Sequence, residues 1–226
     1  MKGKRHLVSG KTQRNPMQTR ERILDAALEE FAAKGFAGAR VDLIARRARI
    51  NKRMLYHYFG DKEGLFREVL RKKMTERSAW IASAPEDPAE RLPFWFELAW
   101  RDPEWIRLLE WEALQWGDEK VIDENRRREA FAGAVDRFRQ MQERGVVSPA
   151  FDPGQLLLSM MALTAYPLAF PQLARLATGL SVSDPKFRAQ RERFLREFAA
   201  ALKPILPGGN SDRASRRNSS AKKRAH

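Results

Sequence analysis

Residues 40–66 read RVDLIARRARINKRMLYHYFGDKEGLF. The pattern is two short helices joined by a tight turn, followed at once by a third helix. Beyond the turn stands a dense set of basic, aromatic and amide side chains: Arg49, Asn51, Lys52, Arg53, Tyr56 and His57. Such a set suits a helix that lies against an anionic, grooved polymer, and it points to duplex DNA and a helix-turn-helix at about 41–60.

Working outward, Ile23, Ala26, Ala27 and Phe31 recur at helical steps and predict a first helix over Thr19 to Lys34, stopped by Gly35. A second is expected from Val41 to Arg47, with Leu43, Ile44 and Ala48 inward and Asp42 favouring its N-terminus. Asn51 suits the N-cap of a third helix ending near Tyr58. Leu55 and Phe59 should enter a small core. After Gly60, Asp61 caps a long helix from Lys62 to about Ile81. The sequence PEDP then breaks the chain. Further helices are expected at about 89–101, 104–116, 119–144, 153–170 and 185–203, with a small bridging helix near 171–178. Asp152-Pro153 and Asp184-Pro185 are cap and first-turn pairs, because the missing proline N–H costs nothing there. The fold class is all-α. An N-terminal DNA-binding unit at 18–78 precedes a larger helical unit at 79–207, and basic tails at 1–17 and 208–226 read as disordered.

The 226 residues carry 43 Lys+Arg against 29 Asp+Glu, a net charge of +14. Residues 1–19 hold five cations and no acid, and residues 208–226 hold six cations against Asp212, so the tails supply most of the excess. Charge alone therefore says little about the folded part, although a basic balance favours polyanionic partners. Cysteine is absent, which excludes disulfides and thiolate metal sites. No apolar run approaches the roughly 20 residues of a membrane span, and the N-terminus lacks a secretory apolar core. A cytoplasmic protein with no membrane association, metal or cofactor is the expectation. His6 and His226 lie in the tails, and His57 has no neighbour in sequence that would make it a catalytic base.

From Thr19 to about Val69 the chain resembles the DNA-binding domain of the TetR family of transcriptional regulators. The resemblance rests on Ile23, Ala26, Ala27, Phe31, Gly35 and Phe36, then Val41, Ile44, Ala45, Ala48 and Ile50. It continues through Leu55, Tyr56, Tyr58 and Phe59 to Lys62, Glu63 and Leu65. It covers about the first third of the chain; the remainder matches in layout only. Two positions depart from the family pattern. Arg49 stands where the turn commonly has Gly, and Arg40 stands where Ser or Thr is frequent. Lys62 resembles the phosphate-binding lysine of the family. On physical grounds, Lys52 and Arg53 sit in the first turn of the recognition helix, where an arginine can chelate the major-groove edge of guanine. Arg40, Arg49, Asn51, Tyr56 and His57 complete the candidate DNA contacts, whereas Lys34, Arg46 and Arg47 read as a solvated face.

The segment 94–116 contains Trp95, Trp100, Trp105, Trp111 and Trp116, five of the six tryptophans. These form either a large helical core or part of a small-molecule cavity, to which Met160, Met161, Tyr166 and Phe170 are further candidates. Pro167 should kink or end its helix. Glu110, Glu112, Asp118 and Glu119 read as an amphipathic helix end rather than catalytic carboxylates. The resemblance implies a homodimer built from the helices at about 153–170 and 185–203. Reading a palindrome twice requires the same two-fold symmetry. The expected function is a sequence-specific, non-enzymatic regulator: a repressor released from a palindromic operator by an unidentified small-molecule effector. The helix from Lys62 would be its lever. The alternatives are a sequence-independent nucleic-acid-binding protein driven by the tails and, more remotely, a small-molecule enzyme.

Overall fold

The computed structural model describes residues 15–202, and these residues form ten helices and no strand. The expected basic tails fall almost wholly outside them. The helices are α1 (Pro16–Gly38), α2 (Val41–Arg47), α3 (Lys52–Phe59), α4 (Lys62–Ala82), α5 (Pro88–Arg101), α6 (Pro103–Trp116), α7 (Glu124–Glu143), α8 (Pro153–Ala169), α9 (Pro171–Thr178) and α10 (Pro185–Ala201).

Local chemistry fixes most boundaries. The side chains of Asn15, Asn51, Asp61, Asp87, Asp152 and Asp184 accept from backbone N–H groups of their helices' first turns, satisfying donors that the helix leaves open. The first helix is longer than its apolar period indicates and begins three residues before Thr19. Its path nevertheless breaks at Gly35 (φ 70, ψ 176), a conformation that a side chain disfavours. The expected helix at 119–144 is shorter: residues 119–123 turn, and Asp123 takes a left-handed conformation (φ 59) before α7. Pro167 is accommodated inside α8, where its ring removes a bond to the carbonyl of Leu163. Arg191 of α10 donates Nη2 to that carbonyl at 2.5 Å. The chain then bends by 90° between α8 and α9. Among the described residues no single helix is long and apolar enough to cross a membrane.

Two cores form. The first gathers Ile23, Ala27, Phe31, Ile44, Leu55, Leu65, Phe66 and Leu70 from α1–α4, and it also takes in Leu108 and Ile122 from beyond the expected unit boundary. The second contains Leu92, Phe96, Phe138, Met141, Leu156, Met160, Phe187 and Leu195.

The seam between them is polar as well as apolar. Arg107 and Trp111 of α6 both donate to the carbonyl of Ala32, at 3.0 and 3.2 Å. Asp102, buried at the α5–α6 junction, receives Lys73 at 2.5 Å and Arg77 at 3.3 Å from α4. Arg71 of α4 makes a two-pronged contact with Asp123 at 2.6 and 2.7 Å. Glu112 is buried, accepting from Arg127 at 2.6 Å and from the Ile122 amide at 2.9 Å. It holds the loop before α7 in place, in keeping with a structural carboxylate.

Candidate nucleic-acid interface

The turn between α2 and α3 is held by three backbone bonds: Ala48 to Ile44, Arg49 to Arg46, and Ile50 to Ala45. Closing it requires φ 55 at Arg49. The left-handed geometry is therefore adopted without glycine, at a cost of about 1 kcal/mol. Asn51 follows in an extended conformation and accepts from the Met54 amide at 2.7 Å, starting α3. Leu55 and Phe59, four residues apart, are buried, while Lys52, Arg53, Tyr56 and His57 are exposed. One face of α3 thus anchors it, and the opposite face is a strip of cations and rings.

The second-helix cations divide by partner. Arg47 donates to buried Glu30 at 3.0 Å, and the Arg40 amide donates to the same carboxylate at 3.3 Å, so α2 is pinned to α1. The Arg40 guanidinium reaches Asp42 at 3.0 Å and holds that carboxyl below the usual aspartate range. Arg46, Arg49 and Arg53 make no ion pair among the described residues. Lys52 lies over the Tyr56 ring at 5.8 Å, and His57 meets Tyr58 edge-on at 6.0 Å.

Lys62 has more structural work than its position in sequence indicates. Its Nζ donates to the Ala37 carbonyl at 3.1 Å and lies 5.1 Å from the Phe36 ring centroid, joining the start of α4 to the end of α1. Burial pushes its pKa down, opposed by Glu30.

Three residues that position the strip were not singled out from sequence. A Cβ at Gly64 would stand 2.1 Å from the Phe59 carbonyl, so the close approach of α3 and α4 requires glycine there. Arg20 pairs with Glu68 and covers the Phe59 ring at 5.6 Å. Glu30 is the third. Gly64 had a local signal, a glycine in a capped first turn; the ion pairs are long-range and had none.

The ligand candidates separate. Trp95, Trp100 and Met161 pack against the second core and Met160 is part of it. Trp105 and Trp116 pack against the first core instead, and Trp111 bonds to Ala32 across the seam. The indoles of Trp105 and Trp116 thus lie with the first core, apart from those of Trp95 and Trp100. Tyr166 and Phe170 are exposed and meet at 4.9 Å.

Residues 23–69 match the family model described as bacterial regulatory proteins, tetR family, and residues 89–200 match that of the tetracyclin repressor-like C-terminal domain. The chain is 37% identical over 166 residues to the HTH-type transcriptional repressor SCO4008 of Streptomyces coelicolor, covering 74% of this chain and 86% of the relative. The chain belongs to the TetR family. As such it is a DNA-binding transcriptional regulator. The solved structure of the transcriptional regulator SCO4942 from Streptomyces coelicolor superposes with a TM-score of 0.67 at 32% identity, covering 82% of this chain and 98% of that one. AibR, solved in complex with isovaleryl coenzyme A and operator DNA, shares the fold: its TM-score is 0.62 at 20% identity, with 82% and 98% covered.

Proposed function

We propose that this TetR-family chain is a cytoplasmic, non-enzymatic repressor that reads a palindromic operator as a homodimer and leaves it when a small molecule binds the second core. The observation that carries the reading is the exposed strip of α3, opposite the anchoring Leu55 and Phe59. Lys52 and Arg53 reach base edges in the major groove. Arg40, Arg49, Tyr56 and His57 hold the flanking phosphates. Asn51 starts the helix, and the Lys62 ammonium has donors beyond its bond to Ala37 for a phosphate at the α4 N-terminus.

The dimer surface is read from what α8 and α10 leave uncovered. Leu156, Leu157, Met160, Phe187 and Leu195 serve the second core. Leu158, Phe194 and Phe198 remain 61%, 43% and 37% exposed, and the last two rings stack at 5.9 Å. Apolar groups of this size on adjoining long helices fit a second copy of the chain.

Effector binding works only through a difference in affinity between two arrangements. The helix α4 is joined to α1 by Lys72 and to the second half by Lys73, Arg71 and Arg77, so it connects both. The test is selection of bound duplexes from random DNA, followed by anisotropy with the selected site and its scramble. Preference for a palindrome, lost on Lys52→Ala with Arg53→Ala, supports the reading. Equal binding to the scramble would make the chain a sequence-independent coat.

A further inference from the structure

The seam between α5 and α7 contains buried donors with no acidic partner. Arg91 is 9% exposed. Its Nε donates to the Pro85 carbonyl at 2.6 Å, and among the described residues its Nη1 meets only the Met141 thioether at 3.5 Å, a weak acceptor. No carboxylate pairs with it among the described residues. One turn further along the same face of α5, the buried indole Nε1 of Trp95 has no hydrogen-bond partner among the described residues. Its ring meets Phe138 edge-on, one turn before Met141 on α7. Arg91 and Trp95 therefore face the same stretch of α7.

The surrounding charge has the same sign. Arg137 and Arg144 stand near Arg91, with exposed Glu86 the one acid felt there among the described residues, and it is already held by Arg144 at 3.3 Å. Burial, together with these two arginines, pushes the Arg91 pKa down. Taking a guanidinium largely out of water without a counter-ion disfavours its charged form. A buried indole N–H without an acceptor gives up the hydrogen bond that water would supply. Both costs are relieved by one kind of ligand, an oxyanion.

We infer that the α5–α7 seam binds a small organic acid, its carboxylate held by Arg91 with Trp95 donating to an acceptor oxygen and Arg137 adding attraction from the rim. Phe138 and Met141 offer the apolar body a wall. The inference rests on the reading of the second half as the effector domain and names the effector's chemical class. It also supplies a route to α4. Pro85 lies three residues beyond Ala82, where α4 ends, and its carbonyl is held by the same guanidinium that takes the anion.

The test uses the full chain with nitrogen-15-labelled tryptophan, one indole N–H signal for each of the six tryptophans, with Trp95→Phe assigning its own. Acetate, octanoate, benzoate and inorganic phosphate are titrated, with octanamide as the neutral control. The expected result is that a carboxylate moves the Trp95 signal and octanamide does not. Its dissociation constant, measured by calorimetry so that it is also read in Trp95→Phe, which lacks the reporting indole, rises about ten-fold in Arg91→Gln and about three-fold in Trp95→Phe. Because Arg91→Gln also loses the bond to Pro85, the exposed Arg137→Gln provides a variant that leaves the core intact, with a two- to three-fold weakening expected from the lost charge (order of magnitude). No movement of the Trp95 signal with any probe overturns the inference, as does equal binding of octanamide. A signal moved by phosphate alone replaces organic acids with phosphate esters and overturns the carboxylate assignment. Operator binding is measured on the same samples. Specific DNA binding without anion binding removes only this inference, whereas anion binding without specific DNA binding removes the repressor reading.

Discussion

The indole of Trp111 fills the space that a side chain at Gly35 would need: a Cβ built there stands 2.7 Å from both Cδ2 and Cε3 of the ring. Gly35 also has φ 70. Two independent penalties, overlap and a disfavoured backbone, therefore meet in Gly35→Ala. The expected loss is roughly 2–4 kcal/mol, read by urea melts. In a Trp111→Ala background the overlap is gone and the same substitution should cost only about 1 kcal/mol. An unchanged cost would show that the two residues do not press on each other.

Arg49 gives a prediction of the opposite sign. Arg49→Gly removes the strain of φ 55 and should raise stability by about 0.5–1 kcal/mol, because the turn no longer forces a side chain into the left-handed region. On the proposed interface the same variant also loses a phosphate contact. The slope of log affinity against log salt should become shallower by about 0.9. A variant both less stable and equal in slope would contradict both roles.

Asn51→Ala separates folding from recognition. The lost bond to the Met54 amide should cost about 1 kcal/mol. By contrast, Lys52→Ala with Arg53→Ala should leave the melting temperature within a degree or two, since both side chains are exposed, while weakening binding to the selected site by about 2–4 kcal/mol. Circular dichroism melts and anisotropy on the same preparations check the contrast.

Asp123 predicts a pH dependence. The hydrogen bonds from Arg71 hold its carboxyl below the ordinary aspartate value. A carboxyl depressed in the folded state contributes stability above the unfolded pKa of about 3.9, and that contribution vanishes as pH falls through the folded value. Acid melts of the wild type should therefore steepen below about pH 4. Asp123→Asn should be less stable at pH 7 and flatter in that window; parallel curves would remove the Arg71–Asp123 pair from the acid response.

Phe194→Glu places a charge on the uncovered face of α10 next to Phe198. Sedimentation should find a monomer, with operator affinity reduced by far more than the loss of one contact, because each half-site is then bound alone. A dimer retained in this variant would place the pairing surface elsewhere.

How much was legible in the sequence follows how local the cause is. Asn51, Gly60 and Asp61 act on backbone groups within four residues, and the boundaries of α3 and α4 followed directly from them. Leu55 and Phe59 were placed by period alone. The start of α7 was missed because Asp123 is held by Arg71, 52 positions away in sequence, and no nearby residue marks the turn. The tryptophans were found as a group, but not divided, since which core each indole joins is decided by how α6 lies across α1. Lys62 was visible as a cation at a helix start. Its bond to Ala37 depends on the end of α1, 25 residues earlier.

The first core does not stop where α4 ends. Leu108 and Ile122 belong to it, so a fragment cut after residue 78 would leave an apolar wound on α1 and α4. Chimeras that graft this DNA reader onto another sensor should carry α6 and the loop to Ile122 along with it. Within the family, substitutions that retune the effector half must likewise tolerate a shared wall, which limits how freely the two halves can be exchanged by recombination.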